Sequence, residues 1–141
     1  MKTSARKQFE GEVVQLTHGA VNDEVTLRTV DGLDIVAIIT HGSAKTLGLA
    51  VGKQAFALVK ASSVIVMVDV SKNQVSARNC IAGTVTAVTT GAVNSEVTIG
   101  AGSAQIAAIV TNESVERLGL AVGQAATAIF KASSVIVGVE S

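Results

Sequence analysis

Lys60–Val66 reads KASSVIV, and the same seven letters return at Lys131–Val137. Working outward, Leu47–Gly52 (LGLAVG) returns at Leu118–Gly123, and Gly19-Ala20-Val21-Asn22 returns at Gly91-Ala92-Val93-Asn94. Glu-Val-Thr follows the latter in both places, at Glu24–Thr26 and Glu96–Thr98, and Ser4-Ala5-Arg6 returns as Ser76-Ala77-Arg78. The offset is 72 residues at first and 71 later, so one residue is lost between Arg28 and Ile35. With roughly half of the aligned positions identical, this is a tandem duplication. The 141 residues divide into a first unit over 1–68, a polar linker over 69–75 and a second unit over 76–141.

Each unit reads as short strands rich in Val, Ile and Thr. In the first, strands are expected over 8–16, 22–30 and 33–39, with Asp31-Gly32 as a hairpin turn because glycine tolerates positive φ. A short helix is expected over 43–47, with Thr40 or Ser43 as N-cap and Gly48 ending it. Strands over 53–59 and 63–68 complete five, and the second unit repeats the order with Gly100-Ala101-Gly102 at the hairpin. Three strands, a helix, then two strands is the order of an OB-like small barrel. The expected fold is therefore all-β, two tandem OB-like barrels, each with one short helix between strands three and four. Paired small β-sandwiches are the alternative.

Composition narrows the function. Apolar residues make up 48% of the chain and the mean hydropathy is +0.51. Yet the longest apolar runs, five residues each as at 35–39, 55–59 and 64–68, are far too short to span a bilayer. The basic start Met1–Lys7 has no apolar stretch after it, so a secretory signal is not expected and the cytoplasm is the expected location. Eleven basic and eleven acidic residues cancel, and the three aromatic residues are all phenylalanine. An OB-type module for single-stranded nucleic acid, the alternative reading, would use a basic groove and aromatic platforms. Units this small bury limited cores, and with one cysteine, Cys80, no intrachain disulfide can compensate. The surplus of Val, Ile and Ala points to an oligomer.

Catalytic chemistry is poorly supported. His18 aligns with Thr90, His41 with Asn112 and Cys80 with Gln8, so none is shared between units. The two histidines read as surface residues, Cys80 as a small buried one, and no His or Cys pair has metal-ligand spacing. Glu24 and Glu96 are shared, but no second acidic residue is repeated beside them. The repeated polar residues are instead donors: Ser4, Arg6, Thr40, Ser43, Lys60 and Ser62, matched by Ser76, Arg78, Thr111, Ser114, Lys131 and Ser133. Cations and hydroxyls without a carboxylate suit a fully deprotonated oxyanion, which only accepts hydrogen bonds. Such a set leaves the hydroxyl of hydrogen phosphate unmatched. Caps, turns and solvated strand ends account for the same residue types equally well.

The four motifs, Ser76–Asn79, Gly91–Val97, Leu118–Gly123 and Lys131–Val135, each with its copy in the first half, resemble the Mop (molbindin, TOBE-like) unit. Two such units cover nearly the whole chain, as in the tandem di-Mop molbindins. The resemblance implies OB-like barrels, cytoplasmic binding of molybdate or tungstate for storage and homeostasis, no catalytic cofactor and no enzymatic activity. It also implies a ring of six units, here a homotrimer, with oxyanions at interfaces between units and neither nucleic acid nor membrane as partner. Carried over residue by residue, one site groups Ser4, Ala5 and Arg6 with Thr40, Ser43, Lys60, Ala61 and Ser62. The other groups Ser76, Ala77 and Arg78 with Thr111, Ser114, Lys131, Ala132 and Ser133, although which copy donates to which is not readable. A second class of site, near the threefold axis, is assigned to Gly19, Ala20, Val21 and Asn22 and to Gly91, Ala92, Val93 and Asn94. Lys7 stands where the second copy has Asn79 and the family usually has Asn, so sites using the first copy are expected to differ in affinity. With no helix-turn-helix or ATPase domain in the sequence, storage is expected rather than transcription or transport.

Overall fold

The computed structural model describes residues 7–140, with side chains from Phe9 onward. Strands β1 (Lys7–His18), β2 (Asn22–Thr29) and β3 (Asp34–Thr40) lead into helix α1 (His41–Leu47), then β4 (Gln54–Val59) and the short β5 (Ile65–Met67). The second repeat gives β6 (Asn79–Thr90), β7 (Asn94–Ala101), β8 (Ala104–Thr111), α2 (Asn112–Leu118), β9 (Ala125–Phe130) and β10 (Ile136–Gly138). Each helix occupies the slot the duplication predicts. The last strand of the first repeat, expected over 63–68, is shorter, Ile65–Met67, because the residues before it form a single 3-10 turn, Ala61–Ser63, matched by Ala132–Ser134 in the second repeat. Another 3-10 turn, Lys72–Gln74, lies in the linker, where the Ser71 amide donates to Gln74 Oε1 at 2.7 Å. At the second hairpin Gly100 and Ala101 belong to β7, and Gly102 alone takes the left-handed φ, 62°.

All strand pairs are antiparallel, in two five-stranded sheets ordered β10-β4-β1-β2-β3 and β5-β9-β6-β7-β8. In each sheet the edge strands, β10 with β3 and β5 with β8, come into contact, so the sheet curls into a small barrel. Buried and less buried positions alternate along β2, as expected of a strand with one face in a core. Val13, Val25, Leu27, Ile35 and Phe9 fill the first barrel; Val85, Val97, Ile99, Ile106 and Phe130 fill the second. Each such side chain contributes about 1.5–3 kcal/mol on burial.

The compact units are not the repeats. One comprises residues 1–59 with 131–141, the other residues 60–130. The last strand of each repeat therefore completes the barrel begun by the other: β10 pairs with β4 and β5 with β9. The identical KASSVIV segments cannot encode this choice, but the next residue can. Gly138 lies opposite Phe56, whose ring occupies the place a Cβ on Gly138 would take. At the matching position of the other barrel, Met67 lies opposite the much smaller Thr127. Small against large in one barrel and large against small in the other matches each strand to its partner by volume.

Curling also requires β1 and β6 to bend. Both carry a register shift at the same repeat position, between Val13 and Gln15 and between Val85 and Ala87. Such bulges add twist. Two residues before each shift, Gly11 and Gly83 sit hard against the neighbouring strand's backbone, at the Arg28 and Gly100 carbonyls.

Candidate functional site

Helix α1 is closed at both ends by its own sequence. Thr40 is the N-cap: its Oγ1 accepts the Ser43 amide at 3.1 Å. Gly48 ends the helix in the left-handed region (φ 66°), as glycine does most readily, and Leu49 is buried beyond it. The Thr40 hydroxyl in turn donates to Ser43 Oγ at 2.8 Å. Helix α2 repeats this arrangement with Thr111 and Ser114 at the same two distances. Amide, threonine hydroxyl and serine hydroxyl thus form a short polarised chain ending on the Ser43 or Ser114 hydroxyl hydrogen, which remains to be donated.

The first-turn amides are already engaged: the His41 amide donates to the Val21 carbonyl and the Ser43 amide to Thr40. In the second repeat the Asn112 amide donates to the Val93 carbonyl and the Ser114 amide to Thr111. Hydroxyl groups, rather than these helix amides, are what this corner offers.

Thr40 and Ser43 line a cavity of about 820 Å3 together with Ser133, Asn22 and an apolar wall that includes Ile38 and Val137. All of these residues lie in the compact unit that holds Lys131–Ser133. The sequence-based grouping of Thr40 and Ser43 with Lys60, Ala61 and Ser62 is therefore exchanged. β3 packs against the 3-10 turn Ala132–Ser134, and β8, ending in Thr111, packs against the turn Ala61–Ser63. The reason is the strand exchange, which carries each Lys-Ala-Ser turn into the other repeat's barrel. Ala61 and Ala132 are buried anchors, while Lys60, Ser62, Lys131 and Ser133 are exposed. Ser76 and Arg78 are exposed in the second unit, leading into a buried Asn79. Ser4, Ala5 and Arg6 lie outside the described residues. Of the turn Gly19–Asn22, Asn22 shares the Thr40 cavity, whereas Val21 and its counterpart Val93 are 73% and 71% exposed.

The two histidines lie at the surface, as the sequence suggested, and both reach one carboxylate. Asp23, 1% exposed at the start of β2, lies within 2.8 Å of His18 Nδ1 and 3.0 Å of His41 Nδ1, and accepts the Gly19 amide at 3.2 Å. Burial raises the Asp23 carboxyl, but the hydrogen bonds from His18, His41 and Gly19 outweigh it and hold the group below its ordinary 3.8. Sequence reasoning missed Asp23 because its repeat counterpart is Ser95. The available signal was spacing: a hairpin joins His18 to Asp23, and the pairing of Asn22 with Thr40 brings His41 beside them. A group lowered on folding stabilises the fold above its unfolded value, and that contribution disappears as pH falls through the lowered one. Below about pH 4 the wild type should lose stability more steeply than Asp23→Asn; denaturant melts from pH 6 down to pH 2.5 would check this, and parallel curves would contradict it.

A curled five-stranded sheet with a helix between its third and fourth strands, built twice and carrying the same hydroxyl-and-lysine corner each time, defines a tandem small-barrel binding module. The chain belongs to the TOBE-domain family, whose profile matches residues 3–66 and again 75–137. It is similar over 99% of its length to the whole of the cytoplasmic molybdate-binding protein ModG, solved with molybdate bound, at 47% identity and a TM-score of 0.94. The molybdenum transport protein ModE of Azotobacter vinelandii is 47% identical over 140 residues, and the molybdenum-pterin-binding protein MopA of Rhodobacter capsulatus is 44% identical over 137. In both cases the matched region is 52% of the relative, so the chain spans about half the length of these proteins.

Proposed function

We propose that the protein binds molybdate or tungstate in the cytoplasm, as a store or buffer rather than as an enzyme. The observation that carries this is the end-to-end correspondence with a molybdate-bound protein of the same two-unit architecture. The chemistry of the corner supports it. The Ser43 and Ser133 hydroxyls and the Lys131 ammonium in one unit, and Ser114, Ser62 and Lys60 in the other, supply donors for an anion that carries no proton. Ser4, Ala5 and Arg6, with Ser76, Ala77 and Arg78, are assigned to complete these sites from neighbouring units. The turns Gly19–Asn22 and Gly91–Asn94 are assigned to a second class of site.

The same reading makes the active form a homotrimer of six barrels. The 820 Å3 cavity is far larger than one tetrahedral oxyanion, and its apolar wall suits a neighbouring chain. Three apolar pairs are exposed at matching places in both repeats: Val21 with Val93, Val51 with Val122, and Ile65 with Ile136, each at least 58% exposed. Repeated exposure of this kind marks an interaction surface.

Calorimetry with molybdate, tungstate and phosphate, combined with the mass in solution, tests the proposal. Micromolar or tighter binding of the first two, weaker binding of phosphate and a three-chain mass are expected. A folded protein that gives no heat with molybdate or tungstate would refute it.

A further inference from the structure

His18, Asp23 and His41 form a cluster that the oxyanion reading does not use. One ligand atom from each lies within 4.8 Å of the others. They come from three elements: the end of β1, the start of β2 and the first residue of α1. The Asp23 side chain is 0% exposed, while those of His18 and His41 are 60% and 50% exposed. The two rings stand edge to face, with centroids 5.3 Å apart. Both Nδ1 atoms address the one carboxylate: His18 lies 2.8 Å from Oδ2, and His41 lies 3.0 Å from each oxygen. Beside the rings is a cavity of about 410 Å3 that His18, His41 and Lys45 help to line.

We propose that His18, Asp23 and His41 bind a divalent transition-metal cation, zinc above all, at a site of the first repeat that the second repeat does not share. Two imidazole nitrogens and a carboxylate oxygen are a donor set that zinc accepts, with a fourth position left for water from the adjoining cavity. Zinc–ligand bonds of about 2.0–2.2 Å place tetrahedral donors ~3.3 Å apart. The present 2.8–3.0 Å contacts to the carboxylate would open by a few tenths of an ångström, and the two imidazole donors, in a cluster up to 4.8 Å across, would close toward each other. The Gly19 amide, donating to Oδ1, orients the carboxylate from behind, the role outer hydrogen bonds play in metal sites. Buried charges are held by pairing or by metal coordination, and a cation between the two rings would supply the latter.

The second repeat shows that the fold does not need this trio for its own sake. There the corresponding residues are Thr90, Ser95 and Asn112. The Ser95 hydroxyl donates to Asn112 Oδ1, and Asn112 Nδ2 donates to the Gly91 carbonyl at 3.0 Å. The same corner is closed by neutral hydrogen bonds, so a structural role alone does not account for a buried acid flanked by two imidazoles.

The test is zinc alone, titrated into the full chain free of oxyanion at pH 7.5 against a chromophoric chelator. The wild type should take up one tight equivalent per chain. The variant His18→Thr/Asp23→Ser/His41→Asn, which installs the second repeat's own residues, should lose that equivalent while still unfolding in one cooperative transition and keeping its molybdate titration. In the wild type, the Nδ1 resonances of both histidines should shift with zinc, a readout that stands even if the variant folds poorly. Absence of zinc uptake by the wild type, or equal uptake by the variant, would overturn the site. Neither result would bear on oxyanion binding, which is measured separately.

Discussion

Replacing Gly11 or Gly83 by alanine will unfold the barrel at a temperature on the order of 10 °C lower than the wild type. A Cβ on Gly11 would run into the Arg28 carbonyl oxygen and lie 2.8 Å from both the Arg28 carbonyl carbon and Thr29 Cα. A Cβ on Gly83 would meet the Gly100 carbonyl oxygen and, at 2.9 Å, Ile99 Cγ2. The obstacles are mainly backbone of a paired strand, so no rotamer change relieves them. Inserting a methyl into well-packed space costs about 1–3 kcal/mol, and rigid surroundings put these positions at the top of that range or beyond. Gly42 provides the opposite control. It lies within α1, nothing is within 4 Å of a Cβ there, and its φ is not positive. Gly42→Ala should therefore be neutral or stabilising by up to about 1 kcal/mol. Thermal melts of the three variants decide the matter: if Gly11→Ala melts with the wild type, the close approach of β1 to β2 is not what bends the barrel.

Those glycines also mark the limit of what could be read from the sequence. Element order was legible because the Val-, Ile- and Thr-rich strand segments and the Leu-Gly-Leu helix stop are local signals, each stated twice by the duplication. Partner choice was not. The two KASSVIV segments are identical, so nothing in them tells β5 from β10. The deciding residues, Gly138 against Phe56 and Met67 against Thr127, acquire meaning only once the strands are paired. The site divides in the same way. Thr40, Ser43 and Ser133 were recognisable as donors by type and repetition. Their grouping depended on the exchange, and only the structure shows that Thr40 and the Val21 carbonyl take two of the helix amides. Asp23 escaped notice because a search for shared residues cannot find what only one repeat possesses.

The exchange makes a prediction about binding that the repeat alone would get wrong. Lys131→Ala and Ser43→Ala should weaken the same class of oxyanion site, because both residues belong to the first compact unit. Lys60→Ala and Ser114→Ala should weaken the other class. Losing a charge-assisted donor costs about 1.5–3 kcal/mol, so each lysine variant should lose roughly 10- to 100-fold in affinity at its own class. Pairs within a unit should be non-additive, since the second substitution acts on a site already impaired; pairs across units should add. Calorimetric titration of molybdate into Lys131→Ala/Ser43→Ala and Lys131→Ala/Ser114→Ala separates the cases. The first should leave one class of site intact and the second should weaken both. The reverse outcome would mean that each Lys-Ala-Ser turn serves the Thr-x-x-Ser corner of its own repeat.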